Sequence, residues 1–227
     1  MPEPFSTIIP IPPFTVAPDE LIMLAEQGSL EQLRGYCELI KDRGGTLDLD
    51  GCGQRSYPAL VACLQDTVSG QIPAKMDFLL GLGCQPDALG LNGNPAIHFA
   101  AQEEYDAAFR RLLGVGAKWD TADSRGRTAL HFATQHGRAW AAVALIDLGE
   151  TLERRDSRER TPLFHACEND WPEGITLLLA SGADETVRDI EGRSCWNITN
   201  DAGRAALDAG LLQRATHSKP AGPKPRL

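Results

Sequence analysis

The sequence predicts an all-α fold in which a pair of antiparallel helices is repeated along the chain. The first observation is a period, since Asp123, Asp156 and Asp189 follow one another at intervals of 33 residues. The second is that glycines keep the same interval, at positions 83, 116, 149 and 182. The third is composition, because aromatic residues are only 6% of the 227 residues, while Ala, Leu and Gly are abundant. Periods of this length are typical of solenoids, in which each unit stacks on its neighbours.

One stretch carries the repeated pattern most completely. Residues 123–137 read DSRGRTALHFATQHG and contain the pattern D-x-x-G-x-T-x-L-H-x-A. This pattern resembles the first half of an ankyrin repeat, and the resemblance covers residues 19–212, most specifically 90–199. It implies an ankyrin-repeat α-solenoid whose helix pairs are joined by β-hairpin-like loops. About six units are expected, of which the first, second and last are degenerate.

The register divides the chain into an arm, one repeat domain and a tail. Residues 1–17 are rich in proline and are expected to form an extended arm, either packed along the solenoid or disordered. Residues 18–212 form the single ankyrin-repeat domain, and residues 213–227 are expected to be a flexible basic tail. The expected units are 18–49 (N-terminal cap), 50–89, 90–122, 123–155, 156–188 and 189–212 (C-terminal cap).

The second unit contains an insertion. Leu60–Cys63 matches Leu130–Ala133 at a separation of 70 residues, four more than two periods of 33. The extra residues are placed around Gln65–Ala74, between the two helices of the unit. They represent either neutral drift or a feature that contacts the partner, and the sequence leaves both open.

Several residue types at fixed places have a local structural explanation. Glycine at the fourth position of a unit, as at Gly126, suits a turn with positive φ. Glu159 at the same place predicts a turn that is either slightly strained or differently shaped. Thr128, Thr161 and Ser194 are expected to cap the first helix. Trp119 and Trp196 are expected to be buried, whereas Trp140 and Trp171 are either exposed binding anchors or packed on a neighbouring helix. The expected core of unit four is Leu130, Ala133, Val143, Leu145, Ile146 and Leu148.

Composition narrows the classes of function. The net charge of −9 argues against a general nucleic-acid binder. The sequence has no apolar run long enough to span a bilayer, and its start does not resemble a secretory signal, so a cytoplasmic protein is expected. The six cysteines are scattered and are expected to be buried free thiols. No cofactor or metal is expected, and the chain is expected to be a monomer on its own.

Histidines near a cysteine raise the question of catalysis. His98 and His131 hold the same place in successive units, and in the ankyrin family this histidine is structural and hydrogen-bonds to backbone. His165 lies one place later and precedes Cys167, which leaves a Cys-His hydrolase as a remote alternative. No phosphate-binding loop, nucleophile elbow or metal-ligand cluster is present, so the sequence predicts a protein without enzymatic activity.

The resemblance implies contacts with a protein partner through hairpin tips and the inner surface of the first helices. The positions that correspond to these contacts are Asn92, Asn94, Gln102, Glu103, Ser124, Arg125, Arg127, Gln135, His136, Ser157, Arg158, Arg160, Glu168, Asn169 and Arg193. The five arginines among them are either solvated turn residues or a basic ridge that binds acidic groups. The main hypothesis is therefore a non-catalytic protein–protein interaction module. A narrower alternative is a bacterial immunity or antitoxin protein that occludes the active site of a toxin.

Overall fold

The computed structural model describes residues 15–16, 18–51, 58–66, 71–90, 92–103 and 105–217. These residues contain twelve helices and one pair of two-residue strands, so the all-α prediction is confirmed. The chain forms two compact bodies, Met1–Leu91 and Asn92–Leu227. The N-terminal body contains β1 (Thr15–Val16), α1 (Pro18–Gln27), α2 (Leu30–Asp42), β2 (Thr46–Leu47), α3 (Ala59–Leu64) and α4 (Ile72–Leu82).

The C-terminal body contains eight helices in two layers. The first helices of successive units pack side by side, and so do the second helices. The first layer is α5 (Ala96–Gln102), α7 (Ala129–Gln135), α9 (Pro162–Glu168) and α11 (Cys195–Ile198). The second layer is α6 (Asp106–Gly114), α8 (Ala139–Asp147), α10 (Pro172–Ala180) and α12 (Asp201–His217). Each helix pair buries its apolar stripe against the next pair, as expected for a solenoid.

The first two helices of the N-terminal body separate at Gly28. Ser29 begins α2 with a capping box, in which its hydroxyl accepts from the Gln32 N–H at 3.2 Å and its own N–H donates to the Gln32 side chain at 2.8 Å. The predicted N-terminal arm lies outside the described residues except for two. These two, Thr15 and Val16, pair in parallel with Thr46 and Leu47.

The insertion lies between α3 and α4. Seven residues, 65–71, separate these helices, whereas three residues separate the helices of units three, four and five, so the four extra residues are where the register placed them. The last three residues of the predicted insertion, 72–74, are instead the first turn of α4. A buried ion pair lies beside this connection. The Lys75 ammonium donates to Asp66 at 2.8 Å and to the Ala25 carbonyl at 3.0 Å, and both charged side chains have no exposed surface.

The hairpins that open units four, five and six are each closed by an aspartate, at positions 123, 156 and 189. Gly93, Gly126 and Gly192 have φ of 72°, 76° and 75°, as the pattern predicted, and Glu159 adopts φ of 60° at the same place. The turn of unit five therefore keeps the common shape at the cost of backbone strain. Backbone bonds join successive tips: Ser124 N–H to Asn92 O at 3.0 Å, Ser157 N–H to Arg125 O at 2.7 Å and Ile190 N–H to Arg158 O at 3.1 Å.

The predicted core of unit four is partly wrong. Leu130, Ala133 and Leu145 are fully buried, but Val143 and Leu148 are 41% and 42% exposed. The reason is the helical period, because Ala141, Ala142 and Leu145 occupy the inward face of α8 and Val143 lies off that face.

Two tryptophans are also less buried than the sequence predicted. Trp119 and Trp196 are half-buried rather than buried. Trp140 is half-buried and its ring stands edge-on to Phe109 at 5.3 Å, while Trp171 is half-buried and packs over Gly174. Trp140 and Trp171 are therefore packed against neighbouring residues and are not fully exposed binding anchors.

The last helix is longer than the sequence predicted. The expected tail began at residue 213, but α12 continues through His217, and residues 218–227 lie outside the described residues. Tertiary contacts explain the extension, since Arg214 donates to the Ala183 carbonyl at 3.2 Å and lies 3.5 Å from the Glu185 carboxylate. Gly210 lets α12 approach α10 closely, because a Cβ there would lie 2.8 Å from Leu179 Cβ.

The cysteines match their predicted state where they are described. Cys37, Cys63, Cys84, Cys167 and Cys195 are buried free thiols, and Cys52 lies outside the described residues. Among the described helices, none is both long and apolar enough to cross a bilayer.

Candidate partner-binding pocket

A cavity of about 450 Å³ lies between the hairpins of units four and five and their first helices, α7 and α9. We call it the arginine pocket, and it is lined by Arg125, Arg127, Gln135, Asp156, Ser157, Arg158, Arg160, His165 and Glu168. Seven of these nine residues belong to the fifteen contact positions predicted from the sequence. Asp156 and His165 are the two that the prediction missed.

The aspartates of the two hairpins fix the backbone that carries the arginines. Asp123 Oδ1 accepts from the N–H groups of Arg125 at 2.9 Å and Arg127 at 2.8 Å. In unit five, Asp156 Oδ1 accepts from Arg158 N–H at 2.8 Å and Arg160 N–H at 3.0 Å. Because the 2.7 Å bond between Ser157 and Arg125 joins the two tips, the arginines of adjacent units are held in a fixed register.

Arg127 in unit four is held within its own hairpin. Its Nε and one terminal nitrogen lie 2.9 Å and 2.8 Å from Asp123 Oδ2, a bidentate ion pair. Its guanidinium also lies over the Phe132 ring, 4.3 Å from the centroid. Only 18% of the side chain is exposed, so Arg127 forms a wall of the pocket rather than a free cation.

Unit five uses a different set of partners. His165 Nε2 lies 3.1 Å from Asp156 Oδ2, the oxygen that takes the arginine in unit four. Arg160 therefore pairs with Glu168 at 2.7 Å instead, and its Nε lies 3.9 Å from Asp189 Oδ2. Burial raises the pKa of Asp156, but the hydrogen bonds from His165 and from the Arg160 and Arg158 amides outweigh it and lower that pKa to about 2.

Two polar atoms of this pocket are left without a partner in the described part of the chain. Arg160 is 6% exposed and His165 is 5% exposed, and neither Arg160 Nε nor His165 Nδ1 has a hydrogen-bond partner. The guanidinium groups of Arg125 and Arg158 are exposed and make no hydrogen bond or ion pair with other described residues. The pocket thus combines two free cations at its rim with an unsatisfied donor in its wall.

The remaining predicted contact positions do not line this pocket. Ser124, His136 and Asn169 are exposed, and each is next in sequence to a residue that lines the pocket. Partial burial lowers the pKa of His136. Arg193 is half-buried and pairs with Asp189 in unit six at 2.7 Å, in the same way as Arg127 pairs in unit four. The others are the exposed Asn92 and the half-buried Asn94, Gln102 and Glu103 of unit three.

His98 and His131 have the structural role expected of them. His131 Nδ1 accepts from the Thr128 N–H at 3.1 Å, which places the proton on Nε2, 3.2 Å from the Arg160 carbonyl. His98 Nε2 lies 2.8 Å from the Thr121 carbonyl, but its buried Nδ1 has no partner in the described residues, since Pro95 has no N–H where unit four has Thr128. Burial lowers the pKa of both rings to about 4, so both are neutral at pH 7.

A second, smaller cavity of about 170 Å³ lies at the loop that follows α8. It is lined by Trp119, Asp120, Thr128, Gly149, Glu150, Thr151 and Arg154. Thr128 is the N-cap of α7, as predicted, where it forms a capping box with His131, and its hydroxyl also donates to the buried Glu150 carboxylate. Thr161 caps α9 by accepting from Phe164 N–H at 3.4 Å. Burial raises the pKa of Glu150 to about 7. No group of three or more metal-ligating side chains occurs in the described residues.

The family model for ankyrin repeats, in three copies, matches residues 60–156 and 97–189. A search of curated proteins returned no match. The matched segments together cover residues 60–189, more than half of the chain, and include every residue of the arginine pocket.

Proposed function

This chain belongs to the ankyrin-repeat family, and from that premise we propose that it is a protein-binding module. Ankyrin repeats generally mediate protein–protein interaction. The proposed contact surface is the set of hairpin tips and first-helix ends of the C-terminal body, centred on units four and five.

One observation carries this proposal. Seven of the fifteen contact positions carried over from the family meet around one cavity of about 450 Å³, and they are held there by hydrogen bonds of the fold itself. A pre-organised backbone loses less entropy when a partner binds, which favours recognition. The exposed tips add positions, such as Ser124 and Ser157, that carry no structural contact through their side chains in the described residues.

The family is typically non-catalytic, and the geometry around Cys167 gives no support to a Cys-His hydrolase. A hydrogen bond with Cys195 and then burial raise the pKa of the Cys167 thiol far above its usual range, so it is protonated at neutral pH. His165 directs Nε2 at Asp156, within the arginine pocket, rather than serving as a base for this thiol. We therefore propose a binding function without chemistry.

The immunity or antitoxin function is a narrower form of the same proposal. It differs only in the identity of the partner, which would be a toxin whose active site the C-terminal body covers. Co-expression with a toxin captured by this protein should rescue growth if the narrower form holds. A captured partner that has no toxicity would leave the general binding function and exclude the narrower one.

The experiment that tests the proposed function blocks the tips sterically. Purified protein is used to capture partners from lysate of the native host, and bound proteins are quantified by mass spectrometry. The double variant Ser124→Tyr/Ser157→Tyr places bulky rings on two adjacent tips, while Ser181→Tyr places one at the exposed end of α10 as a control. We expect a partner that the wild type and Ser181→Tyr retain and the double variant loses, at equal melting temperatures. Equal capture by all three proteins would refute the proposed surface.

A further inference from the structure

We infer that the arginine pocket binds a carboxylate side chain, Asp or Glu, in an acidic segment of the partner protein. This inference rests on the proposed function and names the chemistry that the pocket recognises. The sequence suggested a ridge of five equivalent arginines. The inference instead concerns one pocket in which some arginines are paired within the protein and others are free to bind a ligand.

The local charge of the pocket is opposite to that of the chain. Four guanidinium groups line it against two carboxylates, Asp156 and Glu168, although the whole chain has a net charge of −9. A positive cavity on an acidic protein attracts anionic groups to that place. Charge therefore favours an acidic segment as the ligand of the pocket.

Among the described residues that line the pocket, the free cations are Arg125 and Arg158. Arg127 and Arg193 are paired with their own aspartates, and Arg160 is paired with Glu168. Arg125 and Arg158 follow the aspartates of adjacent hairpins by two positions, a backbone bond of 2.7 Å joins these hairpins, and both arginines line the same cavity. Two planar guanidinium groups so placed can bind one carboxylate through parallel N–H···O bonds.

The wall of the pocket contains an unmet hydrogen-bonding need. Arg160 is 6% exposed and its Nε–H has no hydrogen-bond acceptor in the described residues. Buried donors in native structures are nearly always satisfied. This nitrogen is itself buried and lies 3.9 Å from Asp189 Oδ2, so an acceptor from a ligand reaches it only if the Arg160 side chain turns towards the cavity. In units four and six the corresponding Nε is satisfied by Asp123 and Asp189 at 2.9 Å in both cases. The orphan is thus specific to the pocket and arises because His165 occupies Asp156.

The donors that remain free favour a carboxylate over a phosphate. Phosphate groups are commonly bound by backbone N–H groups at turns and helix starts. At both tips these N–H groups are already used, because Asp123 and Asp156 accept from them at 2.8–3.0 Å. What remains is guanidinium forks, which bind a carboxylate through two parallel N–H···O bonds.

The test uses a fluorescein-labelled hexaglutamate peptide as the probe, with binding measured by fluorescence anisotropy at low ionic strength. The variant is Arg125→Ala/Arg158→Ala, and the matched control is Arg110→Ala/Arg111→Ala, which removes the same charge from exposed positions of α6. We expect the wild type and the control to bind within twofold of each other and the variant to bind at least tenfold more weakly. In the wild type, the NMR resonance of the Arg160 Nε–H should shift as the peptide is added.

Several results would overturn the inference. They are the absence of hexaglutamate binding to the wild type, equal loss of affinity in the variant and in the control, or a phosphoserine peptide that binds tenfold more tightly than hexaglutamate. Equal melting temperatures of the variant and wild type show that the variant is folded. The proposed function fails separately, if hexaglutamate binds as expected but no protein partner is captured. Conversely, a protein partner retained by Arg125→Ala/Arg158→Ala would keep the function and refute the carboxylate pocket.

Discussion

The hairpins of units four and five share one backbone and differ in their side-chain partners. In both, an aspartate Oδ1 accepts from the N–H groups two and four residues later, and Asp123 and Asp156 are equally buried. The second oxygen differs, since Asp123 Oδ2 binds Arg127 and Asp156 Oδ2 binds His165. The two units therefore share the backbone contacts that close the turn, and they differ in the side-chain contacts that form the candidate site.

The two units also differ at three other places that are 33 residues apart. Unit four has Gly126 and Gly137, both with positive φ, where unit five has Glu159 at 60° and Asp170 at 48°. Asp170 compensates for its strain, because its Oδ1 accepts from Thr199 Oγ1 at 3.1 Å and Asn200 N–H at 2.9 Å. Unit four in turn has the buried Glu150 where unit five has Ala183. Each unit thus has its own destabilising feature, positive φ at non-glycine residues in unit five and a buried carboxyl group in unit four. A substitution can remove such a feature from one unit or introduce it into the other.

The largest effect is expected from removing the aspartate that closes each hairpin. Asp156→Ala leaves two backbone donors and the nearly buried His165 ring without acceptors, and should lower the free energy of unfolding by about 3 to 5 kcal/mol. Asp123→Ala should cost about 1 kcal/mol less, because the freed Arg127 side chain reaches water. Urea denaturation measures both values.

The exposed Asp208→Ala on α12 is the control for this pair and should change the unfolding free energy by less than about 0.5 kcal/mol. A smaller loss in Asp156→Ala than in Asp123→Ala would contradict the role given to His165.

The next effect concerns Glu150 and depends on pH. Burial raises its pKa from 4.5 to about 7, so the protonated form is favoured in the folded protein. Its contribution to stability is present below pH 4.5 and is lost as pH rises through 7, which amounts to about 3 kcal/mol. Glu150→Gln cannot ionise, so its stability relative to the wild type should increase by about that amount between pH 4.5 and pH 8.

Chemical denaturation at several pH values measures this difference. The exposed Glu173→Gln in the first turn of α10 should show no such change with pH. A constant difference between Glu150→Gln and the wild type over this range would show that the carboxyl titrates normally.

A smaller effect is expected at the turn glycine of unit four. An alanine at Gly126 would adopt φ near 76° and place its Cβ 3.1 Å from the Arg155 carbonyl, and we expect a loss of about 2 kcal/mol. Gly192→Ala has almost the same φ, 75°, but open space around the Cβ, and should cost about 1 kcal/mol. Thermal denaturation compares the two variants. Equal losses would mean that φ alone decides the cost.

The smallest effect is expected from the reverse change in unit five. Glu159→Gly relieves the positive φ of a non-glycine residue but increases the entropy of the unfolded chain, so a gain of about 0.5 kcal/mol is expected. The exposed ion pair with Arg155, at 3.1 Å, contributes little. Arg155→Ala removes the same pair without changing φ and should leave the melting temperature nearly unchanged. A loss of stability in Glu159→Gly would show that Glu159 is not strained.

Much of the local structure followed from residue type and spacing. The positive φ of Gly126, the cap by Thr161 and the backbone contacts of His131 each depend on neighbours within a few residues or at one period, so the repeat pattern predicts them. The exposure of Val143 was predicted wrongly, because the apolar residues of α8 surround the helix and only the packing partner selects the inward face.

Less of the candidate site could be predicted. The pattern placed Arg125, Arg127, Arg158 and Arg160 on neighbouring tips, but it treated them alike. Which of them is paired depends on His165, whose shift of one position relative to His131 was the one available signal. The buried pair of Lys75 and Asp66 left no signal in the repeat pattern, since it lies beside the insertion.

The sequence by itself determined the period, the helix pairs and the turn glycines, and it supplied the prediction of which positions would face a partner. These features are set by local backbone preferences and by apolar spacing, which act over a few residues and repeat with the unit. Only the tertiary structure decided which charges neutralise each other, which helix face is inward and how far α12 extends. Those outcomes depend on distances between side chains of different units. Within one hairpin, Arg127 is paired and forms part of the pocket wall, whereas Arg125 is exposed and unpaired among the described residues.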